Sequence, residues 1–241
     1  MKKTIKMVGI CGSPLANGNT AKLIKKVLEG AESFGAETEF ISLGNKKLSF
    51  CRACYMCLKK GQCIINDDLN EIRSIMIECD GAVIGSPTYS KEITGQMKTF
   101  FDRMWFDIHR ETFLGKYCVY VNTHMAIVGH SAKSLRDLCL ALGYSVVGGV
   151  VSNNLAKFSG NINKDTTSME KAFEMGVKLV DAIQRQKKYI LQETIRKFFI
   201  RPVFRKVDRF ISEKGGIMIN KNRWKGSELC GASHLAPNGV T

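Results

Sequence analysis

The chain has 241 residues, of which 44% are hydrophobic and 24% charged, an ordinary balance for a globular protein with one full core. No segment approaches the roughly 20 apolar residues of a membrane-spanning helix, and the first apolar run stops at Gly12, too early for a secretory signal. We therefore expect a cytoplasmic protein whose nine cysteines act as thiols rather than as a disulfide framework.

The net charge of +14 is distributed unevenly along the chain. Residues 1–184 carry 23 lysines and arginines against 18 acidic residues, whereas residues 185–225 carry 13 against 3. The sequence therefore predicts a nearly balanced domain over residues 1–184, followed by a basic C-terminal extension over residues 185–241.

Strand and helix patterns alternate through residues 1–184. The predicted strands are Thr4–Cys11, Glu37–Leu43, Gly81–Gly85, Lys116–Asn122 and Ser145–Val151. The predicted helices have apolar residues at helical spacing, and they are Thr20–Phe34, a segment from Asp67 or Asp68 to Cys79, Thr94–Phe106, Ser131–Leu142 and Thr167–Gln186. This alternation predicts an α/β fold with a doubly wound, five-stranded parallel sheet that helices cover on both faces.

The loop after the first predicted strand is rich in small polar residues and leads directly into a helix. It contains Ser13, Asn17, Gly18, Asn19 and Thr20. Ligands of doubly wound sheets bind at the carboxyl ends of the strands, and the N–H groups of a helix N-terminus favour a phosphate. The loop has neither the Walker pattern nor the Gly-x-Gly-x-x-Gly of dinucleotide sites. A helix cap by Asn19 or Thr20 is the alternative, but a cap requires only one such residue.

A second candidate loop follows the third predicted strand. It reads Gly-Ser-Pro-Thr-Tyr-Ser over residues 85–90, where Pro87 fixes the backbone and Tyr89 offers an aromatic face. Its N–H groups are possible donors to a flavin ring. Taken alone, however, the segment is better explained as a proline turn with a surface tyrosine.

Together, the two loops resemble those of the NADPH-dependent FMN reductase-like flavoproteins. The shared motifs are Gly-Ser-Pro-x-x-x-Gly-Asn-Thr after the first strand and Gly-Ser-Pro-Thr-Tyr after the third. Further residues stand where that family has them, namely Asp67, Asp68, Gly95, Lys98, Asp102 and Arg103. The resemblance covers residues 4–183 and implies a flavodoxin-like fold.

The same resemblance implies FMN as cofactor. It assigns the FMN phosphate to Ser13, Asn17, Gly18, Asn19 and Thr20, and the isoalloxazine ring to Pro87, Thr88, Tyr89 and Ser90. Many relatives follow the fourth strand with a Thr-Gly-Gly-like loop, whereas this chain has Asn-Thr-His-Met over residues 122–125. Thr123 and His124 are therefore candidates for the third flavin contact, with an exposed loop histidine as the alternative for His124.

Four cysteines are concentrated in one loop after the second predicted strand. Cys51, Cys54, Cys57 and Cys63 form the pattern C-x2-C-x2-C-x5-C. Such spacing allows four thiolates to wrap one cubane. Zinc fits less well, because its structural sites usually combine two separated Cys-x-x-Cys segments. A dithiol–disulfide relay requires only two of the four residues.

The cysteine pattern resembles that of the iron-sulfur flavoproteins, a branch of the same superfamily. That resemblance implies a [4Fe–4S] cluster beside FMN, with electrons passing from reduced ferredoxin through the cluster to FMN. The sequence thus predicts a flavin-dependent electron-transfer oxidoreductase. The alternative is an NAD(P)H-dependent FMN or quinone reductase without a cluster, and a third hypothesis is an FMN module that only docks on a membrane or partner. No catalytic side chain is assigned.

The extension after residue 185 alternates apolar and basic residues and is interrupted at Pro202. We expect its apolar face to pack on a neighbouring subunit, in a homodimer or homotetramer as the resemblance implies. An acidic ferredoxin is a second possible partner, because complementary charge accelerates association. Contact with an anionic membrane surface is a third and weaker hypothesis. No nucleic acid is expected, since no base-reading motif is present.

Overall fold

The structure is a computed structural model that describes residues 4–125, 129–153 and 161–207. Its strands, in chain order, are β1 (Lys6–Cys11), β2 (Glu37–Ser42), β3 (Gly81–Tyr89), β4 (Glu92–Ile93), β5 (Tyr117–His124) and β6 (Ser145–Asn153). Five of them form a parallel sheet in the order β2-β1-β3-β5-β6, while β4 pairs antiparallel with β3.

This strand order is that of the flavodoxin-like doubly wound fold, and it confirms the predicted fold class. The chain moves outward from β1 to β2 and then returns past β1 to β3. Ligands of such sheets bind at this reversal, outside the carboxyl ends of β1 and β3. The structure has one strand more than predicted, since the two-residue β4 is too short to give a periodic signal.

Helices cover both faces of the sheet. They are α1 (Asn19–Glu32), α2 (Met56–Lys60), α3 (Leu69–Glu78), α4 (Gly95–Arg103), α5 (Trp105–Arg110), α6 (Ser131–Leu142), α7 (Thr166–Gln184) and α8 (Ile190–Ile195). Single turns of 3₁₀ helix span Leu43–Asn45 and Ile162–Lys164, and a π-helical turn at Arg196–Ile200 continues into a helix over residues 201–207. The helix predicted over Thr94–Phe106 is instead divided at Met104, whose φ of −84° and ψ of 15° interrupt it.

Helices α1 and α7 pack against each other through two glycines. A Cβ on Gly30 would lie 2.0 Å from the Phe173 carbonyl oxygen, and one on Gly176 would lie 1.9 Å from that of Val27. Any side chain at these positions would therefore separate the two helices. Both helices also pack on the sheet, because their buried residues share one apolar cluster with those of the strands.

The described part of the basic extension lies on the edge of the domain. The Gln192 side chain donates to the Val146 carbonyl and accepts from its N–H at 2.8 and 2.9 Å. Buried Glu111 lies 3.3 Å from Arg196 Nε and 2.6 Å from Arg201 Nε. Helix α7 ends at Gln184, and the division of the chain at residue 184 stays a prediction. The assignment of 185–241 as a separate unit stays a prediction, and residues 208–241 lie outside the described residues.

Among the described residues, no helix combines the length and the apolar character needed to cross a membrane.

Candidate functional site

Three loops meet at the carboxyl ends of β1, β3 and β5. The Gly12 N–H donates to the Gly85 carbonyl oxygen at 2.8 Å, and the Thr94 hydroxyl donates to the Gly12 carbonyl oxygen at 2.5 Å. The hydroxyls of Thr20 and Thr123 lie 2.7 Å apart. These bonds join all three loops that the sequence analysis selected into one polar surface at the strand reversal.

Helix α1 begins at this surface without a side-chain cap. Its N-cap residue is Gly18, which has an extended backbone and, having no side chain, provides no side-chain cap. Asn19 and Thr20 already lie inside the helix, where Asn19 accepts from the Ile162 N–H at 3.3 Å and Thr20 bonds Thr123. The alternative that one of them caps the helix is therefore wrong. The uncapped N–H groups suit a phosphate.

The five predicted phosphate-binding residues differ in exposure. Ser13 and Thr20 are buried, Gly18 and Asn19 are half-buried, and Asn17 is exposed.

The turn that leads into α1 is held by short contacts. The Gly18 N–H donates to the Leu15 carbonyl oxygen at 3.0 Å, and the Leu15 N–H donates to the Ser13 hydroxyl at 3.1 Å. From behind, a Cβ on Gly44 would lie 2.7 Å from the Pro14 carbonyl oxygen. The turn is therefore held by its own hydrogen bonds, and the backbone at Gly44 packs directly behind it.

The second predicted loop is largely strand. Pro87 pairs with Thr123 in the parallel ladder, and β3 continues through Tyr89. The proline-turn explanation is thus wrong, because the chain turns only at Ser90 and Lys91, which have φ values of 48° and 70°. Local sequence suggested a turn at Pro87, whereas pairing with β5 keeps this segment extended.

A buried polar network fixes the ends of β3 and β5. The Thr88 hydroxyl lies 2.6 Å from the Ser131 hydroxyl. The Asn122 amide donates to Ser131 Oγ at 3.0 Å and to the Ser86 carbonyl oxygen at 2.9 Å. These bonds hold Pro87 and Thr88 half-buried, while Tyr89 is 50% exposed.

His124 ends β5 beside this network. Its Nδ1 atom is buried and has no hydrogen-bond partner among the described residues. Buried polar atoms are nearly always hydrogen-bonded, so an orphan at the predicted third contact is consistent with a ligand there. The histidine is half-buried rather than fully exposed.

The four clustered cysteines line one cavity of about 260 Å³, together with Arg103 and Trp105. Cys51 and Cys54 are exposed, and Cys57 and Cys63 are half-buried.

The backbone on either side of Cys54 is left-handed. Ala53 has a φ of 50° and Tyr55 a φ of 54°. Such conformations are strained for residues with a side chain and concentrate at functional sites. Left-handed residues alternating with others also form concave N–H nests that bind anions, including iron-sulfur clusters. The backbone of the cysteine loop is therefore strained on both sides of Cys54.

The four thiols interact electrostatically but do not converge on a point. Burial first, and then the neighbouring thiols of Cys63, Cys54 and Cys51, raise the pKa of Cys57 to about 11. Within residues 4–125, 129–153 and 161–207, no three His, Cys, Asp or Glu side chains are placed to hold a single metal ion. A cubane does not require the four thiolates to meet at one atom, because each thiolate binds a different iron atom of the cluster.

Arg103 forms one wall of this cavity, with its side chain fully buried. Its guanidinium donates to both Asp67 oxygens at 2.8 and 3.0 Å, to the Ser49 carbonyl oxygen at 2.6 Å, and through Nε to Cys63 Sγ at 3.2 Å. Burial opposes the charge, but the bonds to Asp67 and Cys63 raise the pKa of Arg103. In the sequence, Asp67 is a candidate helix start and both residues are shared motif residues, but their contact with a cysteine is visible only in the folded chain.

Helix α4 connects the two candidate sites. Thr94, which caps α4 by accepting from the Met97 N–H at 3.3 Å, also binds the Gly12 carbonyl oxygen in the first loop. Arg103 at the other end of α4 contacts Cys63. Arg103 lies nine positions after Thr94, roughly 14 Å along the helix axis. The polar surface and the cysteine cavity are thus mechanically joined by one short helix.

Comparisons with known proteins agree with this geometry. The family model described as NADPH-dependent FMN reductase matches residues 5–157. An iron-sulfur flavoprotein of Archaeoglobus fulgidus is 34% identical over 187 residues, covering 75% of this chain and 81% of the relative. One of Methanosarcina thermophila is 29% identical over 188 residues, covering 75% and 96%.

Among solved structures, a flavone reductase superposes with a TM-score of 0.60 at 21% identity, covering 75% of this chain and 63% of its own. At that identity the likeness supports the fold alone, whereas the family match and the Archaeoglobus relative identify the family. The chain therefore belongs to the NADPH-dependent FMN reductase family, among relatives named iron-sulfur flavoproteins, and is an FMN-binding, flavin-dependent oxidoreductase.

Proposed function

We propose that this flavoprotein passes single electrons between a [4Fe–4S] cluster and FMN. The observation that carries the proposal is one cavity lined by four cysteines, joined through α4 to the loop at the start of α1. The cluster ligands are Cys51, Cys54, Cys57 and Cys63. FMN accepts one or two electrons, which suits it to one-electron iron-sulfur chemistry.

The polar surface at the strand reversal fits FMN. The uncapped start of α1 offers N–H groups to the phosphate, which we assign to Ser13, Asn17, Gly18, Asn19 and Thr20. We assign the isoalloxazine ring to Pro87, Thr88, Tyr89 and Ser90. Thr123 and His124 complete the site, and the orphaned Nδ1 of His124 is available to the ring or to a substrate.

The cysteine cavity fits an anionic cluster. Four thiolates and a cubane carry net negative charge, and Arg103 places a buried cation in the cavity wall. The indole N–H of Trp105, another wall residue, is buried and has no hydrogen-bond partner among the described residues. Donors of this kind around cluster sulfur atoms are part of how proteins stabilise and tune such clusters.

Anaerobic purification followed by iron, sulfide and flavin analysis tests the cluster assignment. We expect brown protein with about four iron and four sulfide atoms per chain and one FMN. Cys54→Ala is expected to lose the iron and keep FMN, because Cys54 lies in the cavity wall and not in the polar surface. Cys79→Ala, which truncates a buried cysteine outside the cavity, is the matched control and retains both. Iron content unchanged by Cys54→Ala would contradict the assignment.

The second candidate function is an NAD(P)H-dependent FMN or quinone reductase whose cysteine loop is structural. The chain's match to the NADPH-dependent FMN reductase family favours it. It requires NADPH alone to bleach the flavin absorbance at a catalytic rate. The cluster function instead requires reduced ferredoxin for rapid bleaching. Stopped-flow mixing with each donor separately distinguishes the two, with iron content measured on the same sample.

We also propose that the extension packs against another subunit in a homodimer or homotetramer. Several apolar side chains of its described part are exposed, namely Ile190, Leu191, Phe198 and Val203. The experiment is analytical ultracentrifugation of the wild type and of Phe198→Glu, with Phe34→Glu, an exposed aromatic at the end of α1, as control. A lower oligomeric state only in Phe198→Glu supports the proposal. An unchanged mass in both variants would contradict this proposal and would leave ferredoxin or a membrane surface as the partner of the extension.

A further inference from the structure

We propose that Arg103 is a positioning residue that sets the reduction potential of the cysteine site by donating a hydrogen bond to Cys63. The inference rests on the proposed cluster function and deepens it. It concerns which protein group stabilises the extra electron, rather than which residues bind the iron.

The contact is specific in its geometry. Arg103 Nε lies 3.2 Å from Cys63 Sγ, within the range of an N–H···S hydrogen bond. Three of the four other N–H groups of the guanidinium donate to Asp67 and to the Ser49 carbonyl oxygen. The planar fork therefore has one orientation, in which Nε faces the sulfur atom. A lysine at this position would supply charge but not this fixed set of donors.

Asp67, the counterion of Arg103, is itself held by the backbone. Asp67 accepts from the N–H groups of Ser49 and Leu69 at 2.9 and 3.3 Å, so its carboxylate cannot follow a displaced guanidinium. The side chains of the pair are 0% and 5% exposed, so the solvent screens their fields weakly. Asp67 also partly neutralises the positive charge that Arg103 presents to the cavity.

These contacts give opposite expectations for the two partners. One-electron reduction makes the cluster and its thiolate sulfurs more negative, so a hydrogen bond to sulfur stabilises the reduced form. Removing the Arg103 donor therefore favours the oxidised form. Replacing Asp67 with asparagine leaves the guanidinium less neutralised, while its bond to the Ser49 carbonyl oxygen remains to hold it near Cys63. This change favours the reduced form. If the substitutions only damaged the fold around the cavity, the midpoint potential would not be expected to shift in opposite directions in the two variants.

The experiment uses full-length, anaerobically purified protein with iron and FMN bound. The midpoint potential of the cluster is measured by titration with dithionite, which supplies the electron, and is followed by electron paramagnetic resonance. The variants are Arg103→Gln, Arg103→Lys and Asp67→Asn. Arg52→Gln is the control, since it removes a cation from the same cavity wall at an exposed position. The FMN potential and the iron content are recorded for every sample.

In Arg103→Gln we expect the ratio of reduced to oxidised cluster at fixed ambient potential to fall at least tenfold, equivalent to about 59 mV for one electron. Arg103→Lys should recover only part of this loss, Asp67→Asn should shift in the positive direction, and Arg52→Gln and the FMN potential should change little. Equal shifts in Arg52→Gln and Arg103→Gln, or shifts of one sign in the Arg103 and Asp67 variants, overturn the inference.

Loss of iron from a variant is a separate outcome of this experiment. If only the Arg103 variants lose iron, the Asp67→Asn variant decides the test. A positive shift of its midpoint potential supports the inference, and a negative shift overturns it. If all three variants lose iron while the wild type retains it, the residues act in assembly alone and the inference is wrong. Absence of iron from the wild type overturns the proposed function itself, and the inference with it.

Discussion

The hydroxyl of Thr20 in the first turn of α1 lies 2.7 Å from the hydroxyl of Thr123 near the end of β5, and both side chains are buried. This bond joins the predicted phosphate loop to the predicted third flavin loop across 103 residues of sequence. It gives the surface at the strand reversal a shape that does not depend on a bound ligand.

The threonine pair allows a test of that preorganisation. Thr20→Val or Thr123→Val leaves the remaining hydroxyl buried without its partner, which costs about 1–3 kcal/mol of unfolding free energy. The double variant should recover part of that loss, because both polar groups are then gone. Urea denaturation of the four proteins without FMN measures the coupling. Strictly additive losses would show that the bond contributes nothing to the fold.

The turn in front of α1 should tolerate no extra volume from behind. In Gly44→Ala the new Cβ would collide with the Pro14 and Ser13 carbonyl oxygens at 2.7 and 2.9 Å. We expect the displaced turn to weaken FMN binding by about tenfold, or about 1.4 kcal/mol. Gly95→Ala is the control, since a Cβ there meets no atom within 4 Å. Flavin fluorescence titration measures both affinities, and equal affinities would contradict the assignment of the phosphate to this turn.

The C-terminal helix should depend on Glu111. This carboxylate is 4% exposed and faces Arg196 at 3.3 Å and Arg201 at 2.6 Å. Glu111→Gln leaves two cations without their counterion, and breaking a buried pair in this way costs about 3–5 kcal/mol. We expect a loss of this size in unfolding free energy, with faster proteolysis after residue 185.

A surface pair supplies the comparison for Glu111. Glu174 and Lys178 form an exposed pair at 3.2 Å on α7, so Glu174→Gln should cost less than about 1 kcal/mol. Similar losses in the two variants would mean that the extension is held by its apolar contacts rather than by Glu111.

Asp67 should make the stability of the protein depend on pH in the acid range. Burial acts to raise the pKa of this carboxyl, but hydrogen bonds from Arg103, Ser49 and Leu69 lower it below its ordinary value of 3.8. A pKa that is lower in the folded than in the unfolded chain stabilises the fold above the unfolded value. That stabilisation is lost as the pH falls through the folded value.

The matching measurement compares the wild type with Asp67→Asn by denaturation from pH 7 downward. The variant should be less stable at neutral pH, and the difference between the two should narrow below about pH 4. A difference that stays constant to pH 2 would show that Asp67 acts through its shape and not through its charge.

Local sequence patterns determined most of the strands and helices and both short motifs of this protein. The five parallel strands follow from apolar runs bounded by turns, and most helices follow from apolar spacing of three to four residues, which is a property of neighbouring residues alone. The turn from Ser13 to Thr20 and the cysteine loop were also visible as short motifs, because their donors and thiols lie close together in the chain. The fold class and both candidate sites could therefore be predicted.

Tertiary structure decided how these parts are joined. Arg103 reaches Cys63 across 40 residues, Thr20 reaches Thr123 across 103, and Arg201 reaches Glu111 across 90. The local pattern favours a turn at Pro87, but this residue is extended because it pairs with β5. The local pattern also favours one helix through Phe106, but α4 ends before Met104. No periodicity encodes contacts between such distant residues, since they exist only once the sheet has aligned its strands. The sequence by itself thus located the two candidate sites, and the folded chain determined which side chains support them.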